Sequence, residues 1–266
     1  MRDPDASYVV IIILIFLTVR WTQGPSREYR KRFKSLVVPH IAEELGEFVF
    51  KADGGIEMHD LNPSKIIPNH MSYETEDYIR GTYKDVEIEF CEARMLNKRL
   101  LSRSKMPKVV FCGLIVFLTM NKPFIGHTIV RREKNKGRPS IFFTDLKPVE
   151  LEDPEFEKAF EVHGTDQIEA RHLLTPATME RLKSLAQVVG AQGLECAFYN
   201  HRLLVLLPHY GAMTHYGPGT PLGGFLEPGP LDFSVTQFDS VSKITREFQS
   251  ICDLVTELKL HEDHGV

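Results

Sequence analysis

The amino-acid sequence predicts an α+β protein in which an N-terminal membrane helix precedes antiparallel sheet packed with helices. Three patterns support this prediction. Residues 8–21 form a nearly uninterrupted apolar run, YVVIIILIFLTVRW. Val86, Ile88 and Phe90 alternate with acidic residues, which is typical of a strand with one face in water. Residues 244–258 carry apolar side chains at helical spacing along one stripe.

The length and composition are those of a globular chain. With 266 residues, 42% hydrophobic and 26% charged, there is material for one large domain or two small ones. A net charge of -4 does not favour nucleic acid as a partner, because phosphate-binding surfaces usually leave a basic excess. We divide the chain into an anchor and its flank (1–26), a region of helix and antiparallel strands (27–150), and a helical and hairpin region (151–266). Residues 27–266 are expected to form one soluble unit.

The four cysteines predict neither a zinc site nor a disulfide framework. Cys91, Cys112, Cys196 and Cys252 are widely separated and form no CxxC pair. Free cysteine is among the most buried residue types, so we expect reduced, buried thiols. The sequence predicts no cofactor.

The apolar run is best interpreted as an uncleaved membrane anchor. Residues 6–22 would span about 25 Å as a helix, slightly less than a bilayer core of about 30 Å. A cleaved signal peptide would need a basic start, but the leading MRDPDAS carries two Asp against one Arg, and no A-x-A pattern follows. A helix lying at the membrane interface or buried in the protein is the remaining alternative.

Basic residues after the apolar run predict its orientation. Only Glu28 opposes them, and the positive-inside rule therefore places the rest of the chain in the cytoplasm. Each such residue near an anionic leaflet adds about 1 kcal/mol of attraction. The predicted lipid-binding residues are Arg20, Arg27, Arg30, Lys31, Arg32 and Lys34.

The region before residue 150 alternates between helical and strand patterns. A helix is predicted from about Arg27 to Ile41, and the Gly/Pro/Asn/Asp-rich residues 51–76 are expected to form loop. Strands are predicted near 83–90, 109–120, 127–132 and 141–143, with a basic hairpin tip at 131–138. Because these strands follow one another closely, we expect an antiparallel meander.

The region after residue 150 has clearer helix boundaries. Asp153-Pro154 is expected to open a short helix through Phe160, and Asp166, with Glu169 three residues on, to open another. Further predictions are a helix over 176–190, a hairpin joining 194–199 to 202–207, a Gly/Pro-rich loop over 208–230 and a final helix over 239–260.

Several of these segments also resemble a known family. Residues 151–185, LEDPEFEKAFEVHGTDQIEARHLLTPATMERLKSL, closely resemble the signature of a bacterial family called domain of unknown function 3137. Residues 111–130, with NKPFIGHTIV, resemble its central block, residues 29–39 its entry helix and residues 224–228 its late FEP-type turn. The resemblance implies a protein associated with the bacterial inner membrane. Members of the family often carry a hydrophobic hairpin before the soluble part, whereas this chain shows one hydrophobic segment. The resemblance supplies no catalytic residues.

Acidic and histidine residues in this signature are the candidates for catalysis. Asp153, His163, Asp166 and His172 could serve a hydrolase or a metal-dependent enzyme. The structural alternative is stronger, because carboxylates at helix starts accept hydrogen bonds from free backbone N–H groups. A salt-bridge network of Asp153, Asp166, Glu169 and Arg171 is a further structural interpretation.

His209 and His215 are weak candidates for a metal site. Two imidazoles suit Zn, Ni or Cu, but no third ligand lies near them in the sequence and no HExxH pattern occurs. The chain also lacks GxGxxG, GxxxxGK[ST] and GxSxG patterns. We therefore expect a membrane-anchored, cytoplasm-facing binding or scaffold domain with an unidentified protein partner. A hydrolase or metal-dependent enzyme using residues near 153–172 is the alternative.

Overall fold

The computed structural model describes residues 32–97, 107–120, 123–132, 145–188, 191, 193–209 and 226, and the helix at 237–262. Six helices and nine strands lie within these ranges. The helices are α1 (residues 32–45), α2 (Met58–Leu61, followed by a 3-10 turn at Asn62–Ser64), α3 (Pro154–Ala159), α4 (Gln167–Leu173), α5 (Pro176–Val188) and α6 (Gln237–Glu262). The strands are β1 (Glu47–Lys51), β2 (Ser72–Tyr83), β3 (Val86–Asn97), β4 (Lys108–Thr119), β5 (Thr128–Arg132), β6 (Lys147–Pro148), β7 (Phe160–Gly164), β8 (Glu195–Tyr199) and β9 (Arg202–Pro208).

The nine strands form a single sheet with the order β1-β2-β3-β4-β9-β8-β5-β7-β6. Every neighbouring pair is antiparallel. The α+β prediction is therefore confirmed for the large antiparallel sheet and its helices. The predicted meander is wrong, because β4 pairs with β9 and β5 lies between β7 and β8.

The main core lies between one face of the sheet and three helices. Phe33 of α1, Leu182 of α5 and Phe248 of α6 pack with Ile88 and Phe90 of β3 in one buried cluster. The Phe248 ring meets Phe90 edge-on with centroids 5.1 Å apart. The period-2 alternation of β3 thus places its apolar residues under the helices, as the sequence predicts.

A second, smaller core covers part of the opposite face. Ile56, Leu61 and Ile66, on either side of and within α2, pack against Cys91 of β3 and Phe117 of β4. Strand β4 is buried on both faces, which explains its nearly continuous apolar sequence. Gly113 allows β9 to approach, since a Cβ there would lie 2.1 Å from the Leu207 carbonyl oxygen.

Three boundaries differ from the sequence prediction. The predicted loop over 51–76 ends early, because β2 begins at Ser72 and pairs with β3. The helix opened by Asp153 stops at Ala159, and Phe160 begins β7 because it pairs with Arg132 of β5. Strand β1 lacks a strong sequence pattern, and it forms because its backbone pairs with β2.

The predicted membrane anchor, residues 8–21, lies outside the described residues. Within the described ranges, no helix is both long and apolar enough to cross a membrane. The predicted strand at 141–143 and most of the basic tip at 131–138 also lie outside these ranges.

Candidate functional site

Asp153 and Asp166, two of the candidate catalytic residues, cap helices. The Asp153 carboxylate accepts hydrogen bonds from the backbone N–H groups of Glu155 and Phe156, at 2.9 and 3.1 Å. Asp166 does the same for Ile168 and Glu169, both at 2.9 Å. These bonds satisfy N–H groups that have no partner within their helices. The helix starts predicted at both residues are confirmed.

His163 and His172, the other two candidates, are placed differently. His163 lies in the middle of β7, opposite Ile129 of β5, and its neighbour Val162 faces the main core. By alternation, His163 points to the opposite face of the sheet. His172 is exposed in the last turn of α4. The four residues thus occupy two caps, a strand and a surface, and nothing in this part of the chain supports the hydrolase alternative.

The predicted salt-bridge network is wrong, because its members bind backbone groups. Arg171 donates from Nε to the carbonyl oxygen of Glu150 at 3.2 Å. Glu169 accepts from the backbone N–H groups of Ile125 and Gly126, both at 2.6 Å. Unsatisfied backbone N–H groups lie closer to these carboxylates than any cation of the predicted network does, and they take the bonds.

His209 directly follows β9. Its backbone N–H donates to the carbonyl oxygen of Cys112 at 2.7 Å, which continues the pairing of β9 with β4. His215 lies outside the described residues, so the two-histidine metal site stays a prediction.

Two of the six predicted lipid-binding residues, Arg32 and Lys34, lie in the described part of the chain. Arg20, Arg27, Arg30 and Lys31 lie outside the described residues, and Arg32 is exposed at the start of α1. Lys34 is only 9% exposed and forms an ion pair with Asp77 of β2. The lipid-binding prediction is therefore wrong for Lys34, because its ammonium group is turned into the protein.

Lys34 belongs to a buried charged cluster that the sequence does not reveal. Arg94 of β3 is 3% exposed and pairs with Glu74 of β2. Asp77 has a positive φ of 55°, at the point where the pairing of β2 with β3 shifts register. Such a bulge re-aims a side chain. The cluster consists of Lys34, Glu74, Glu76, Asp77, Glu92 and Arg94.

Three of these carboxylates lie close together. Oxygens of Glu76, Asp77 and Glu92 are within 4.8 Å of one another, a spacing at which hard cations bind. The cluster also contains its own cations, Lys34 on Asp77 and Arg94 on Glu74. We interpret it as a structural cluster that fixes α1 to β2, since buried charges require partners.

The most prominent surface feature is a pair of isoleucines. Ile125 is 87% exposed and Ile168 is 69% exposed, the two highest values among the large apolar side chains that the structure describes as exposed. Glu169, the residue after Ile168, binds the backbone of Ile125 and Gly126. We call Ile125 and Ile168 the isoleucine pair. We call the two hydrogen bonds that the Glu169 carboxylate accepts from the backbone of Ile125 and Gly126 the Glu169 clasp.

Further contacts hold the loop that carries Ile125. His127 donates from its backbone N–H to Thr165 Oγ1 at 2.8 Å, and the Thr165 N–H donates to the His127 carbonyl oxygen at 3.0 Å. A Cβ on Gly126 would lie 2.8 Å from Thr165 Oγ1, so glycine allows this close approach. The Phe124 ring meets Phe198 edge-on, with centroids 5.5 Å apart. The loop is therefore held in one conformation on both sides of Ile125.

The isoleucine pair lies at the end of the sheet opposite the start of α1. β4 ends at Thr119 and β5 begins at Thr128, so the loop between them lies at this end. β1 begins at the same end, because Glu47 pairs with Thr82 near the close of β2. Since α1 ends directly before β1, it begins toward the other end.

Burial shifts the pKa of two further groups, the half-buried His127 and the buried Glu247. His127 Nε2 lies 3.0 Å from the Ser64 carbonyl oxygen, and burial lowers the pKa of this imidazole. Glu247 of α6 is buried beside Lys243, with 2.7 Å between Oε1 and Nζ. Burial raises the pKa of Glu247, despite the opposing effect of Lys243. All four cysteines are buried, and burial raises the pKa of the Cys91 thiol to about 12.

Sequence reasoning missed the isoleucine pair, although both residues stand in the segments quoted for the family resemblance. Ile125 is in NKPFIGHTIV and Ile168 is in GTDQIEARHL. The available signal was an isoleucine directly beside a helix cap, where side chains are commonly in water. The sequence pattern places Glu169 in the cap of its own helix, and its contact with a loop about forty residues earlier has no local signature.

Comparison with known proteins identifies one family and one solved structure. The family described as Protein of unknown function (DUF3137) matches residues 109–260, which confirms the resemblance seen at residues 111–130, 151–185 and 224–228. No curated protein matches the chain. The crystal structure of the mycobacterial trehalose monomycolate transport factor A, TtfA, is similar with a TM-score of 0.38 at 11% identity, over 84% of this chain and 96% of that one.

Proposed function

We propose that this chain, which belongs to the family described as Protein of unknown function (DUF3137), is a membrane-tethered domain that binds a protein partner at the cytoplasmic face of a bacterial inner membrane. The observation that carries the proposal is the isoleucine pair, presented to solvent by the Glu169 clasp. The role is that of a binding or scaffold domain.

The isoleucine pair is suited to binding because it is both apolar and held in place. Burying one isoleucine side chain in a partner contributes about 1.5–3 kcal/mol. A loop that is already ordered loses little conformational entropy on binding, so more of that energy appears as affinity. The partner expected from this chemistry offers an apolar pocket for two neighbouring branched side chains.

The tether follows from the sequence before α1. Residues 22–31 separate the apolar run from the first described residue of α1. Ten residues reach at most about 35 Å when fully extended. The buried pair between Lys34 and Asp77 fixes α1 to the sheet, so a domain anchored at residues 8–21 would stay close to the bilayer.

The membrane surface is proposed to contact the basic residues that precede the sheet. Arg20, Arg27, Arg30, Lys31 and Arg32 remain candidates for anionic lipid, and Lys34 is no longer one. The isoleucine pair lies at the other end of the sheet from the start of α1, which would leave it uncovered by lipid.

A site-specific cross-linking experiment tests the partner proposal. A photo-reactive benzoylphenylalanine replaces Ile125 or Ile168 in the full-length chain, expressed in its own cells. Met71, which is similarly exposed near the opposite end of the sheet, serves as the control position. We expect the same protein adduct from positions 125 and 168 and none of it from position 71. Ile125→Asp should remove the adduct formed from position 168.

Two results would overturn the proposal. Equal adducts from all three positions would mean that contact is non-specific, and no adduct from 125 and 168 would mean that no partner binds there.

The anchor is tested separately by fractionation and by a C-terminal reporter. We expect the chain in the membrane fraction with its C-terminus inside the cell, and a freely soluble chain would refute the tether.

A further inference from the structure

Strand β1 forms one edge of the sheet. Among the described strands it pairs with β2 alone, through the register Glu47 to Thr82 and Lys51 to Tyr78. The Phe48 N–H donates to the Gly46 carbonyl oxygen at 2.9 Å, so it does not point at β2. Backbone groups alternate in direction along an antiparallel strand. The backbone groups of Phe48 and Phe50 therefore face outward. The Phe48 N–H is already taken by Gly46, so the Phe48 carbonyl oxygen and both backbone groups of Phe50 are where a further strand can add.

The face of β1 that points away from the main core is exposed. Phe48 is buried in the main core, and Val49, which points to the other side, is 60% exposed. Glu47 and Lys51 are exposed at the two ends of the strand, and neither forms an ion pair with a described residue. An exposed valine between two unpaired opposite charges is the main feature of this edge.

The strand is complementary to its own reverse. In an antiparallel pair centred on Val49, Glu47 of one copy lies opposite Lys51 of the other, Phe48 opposite Phe50, and Val49 opposite Val49. Opposite charges stabilise cross-strand pairs, and like charges destabilise them. A parallel pairing would place Glu47 opposite Glu47, and a shift of two residues would place Lys51 opposite Val49. The charges therefore select one direction and one register.

We propose that β1 pairs with β1 of a second copy of this chain, which extends the sheet across a twofold axis at Val49. The axis passes between the two Val49 residues, as in other symmetric interfaces. Each copy contributes one strand of five residues, so the contact is short and the dimer weak. This inference does not depend on the isoleucine pair, which lies on a different part of the sheet.

A cysteine at the twofold axis tests the pairing. Because Phe48 and Phe50 carry the outward backbone groups, Val49 would face its copy in a non-hydrogen-bonded pair, with Cα atoms about 4.5 Å apart. A disulfide forms at that distance. The four natural cysteines are buried, so Val49→Cys adds an exposed thiol to a background without one. Thr82→Cys is the matched control, exposed in β2 one strand from the edge. Its own copy would be three strand spacings across the sheet and four residues along it, about 20 Å away, which is too far for a disulfide.

Charge variants of full-length Val49→Cys test the register. Glu47→Lys and Lys51→Glu should each lower disulfide formation about tenfold, the effect expected of two lost pairs. The double variant should restore it. An equal mixture of the two single variants should form the mixed dimer in preference to either homodimer, because only unlike copies carry complementary ends.

Folding is checked by circular dichroism in every variant, and a folded Val49→Cys chain gives a decisive result either way. Cross-linking faster than that of Thr82→Cys, with rescue by the double charge variant, supports the pairing. Cross-linking no faster than that of Thr82→Cys refutes it. Fast cross-linking that ignores the charges refutes the proposed register.

Discussion

Lys34 of α1 and Asp77 of β2 form a buried ion pair that joins a helix to the sheet forty-three residues further along the chain. Asp77 is 2% exposed and occupies the bulge of β2, where its N–H donates to the Ala52 carbonyl oxygen at 3.0 Å. The residue is thus fixed through both its backbone and its side chain. The pair is a buried polar contact between the first turn of α1 and the sheet.

Breaking this pair from one side should destabilise the fold strongly. Lys34→Met leaves the Asp77 carboxylate buried without its ammonium partner, and we expect a loss of about 3–5 kcal/mol in the free energy of unfolding. Lys34→Met combined with Asp77→Asn should lose less, because asparagine tolerates the positive φ and carries no charge. Urea unfolding of the full-length chain in mild detergent measures both. A double variant no better than Lys34→Met would contradict the buried-charge explanation.

Removing the Glu169 clasp should release the loop that carries Ile125. Glu169→Ala leaves two backbone N–H groups without their charged acceptor, and each such bond contributes about 1.5–3 kcal/mol. We expect the amides of Ile125 and Gly126 to exchange hydrogen much faster in deuterium-exchange measurements. Glu180→Ala is the control, because Glu180 is exposed on α5 and its ion pair, among the described residues, is with Lys183 of the same helix. Unchanged exchange at residues 125 and 126 would show that the clasp does not order the loop.

The two capping aspartates give a test of structure against catalysis. Asp153→Ala and Asp166→Ala should each cost about 0.5–2 kcal/mol of stability, and Asp166→Ser should cost much less because serine also caps. Thermal unfolding measures these differences. If the role of Asp166 were catalytic and not capping, serine would have no advantage over alanine in thermal stability. Equal effects of Asp166→Ala and Asp166→Ser would count against the cap.

His127 should make the protein less stable in mild acid. Its pKa is lowered by burial, so the folded state favours the neutral imidazole. Its contribution is complete above the unfolded pKa of about 6.5 and is lost as the pH falls through the lower folded pKa. His127→Gln should therefore reduce the loss of stability between pH 7.5 and pH 5. His172→Gln, at an exposed histidine of α4, is the matched control for the substitution itself.

Glu247 should have the opposite effect. Its pKa is raised by burial, so its contribution is complete below the unfolded pKa of about 4.3 and is lost as the pH rises through the folded pKa. Glu247→Gln mimics the protonated form and should therefore raise stability at pH 7. The measurement is urea unfolding at pH 7 and pH 4.5. Lower stability of Glu247→Gln at pH 7 would mean that the bond with Lys243 outweighs the cost of burial.

Local sequence patterns predicted the features that depend on neighbouring residues. The alternation of β3, the caps at Asp153 and Asp166 and the helix at Pro176–Val188 all follow from periods of two or 3.6 residues and from free N–H groups at helix starts. The β8–β9 hairpin around Asn200 was likewise predicted, and Asn200 has the positive φ that such turns require.

The features that sequence reasoning missed depend on distant residues. Lys34 stands among basic residues and was assigned to lipid, although Asp77 binds it. Glu169 fits a capping pattern, although its carboxylate reaches Ile125. The same charged side chain suits a surface, a cap or a buried pair, and only its partner decides between them.

The sequence by itself determined an α+β fold, most of its helices and strands, and the family signature, because each rests on the spacing of nearby residues. The tertiary structure alone decided the order of the nine strands, the burial of the Asp77 side chain, and the contact of Glu169 with the loop that exposes Ile125. Those features arise when segments far apart in the chain compete for the same backbone groups and charges. The spacing of neighbouring residues does not depend on these contacts and cannot predict them.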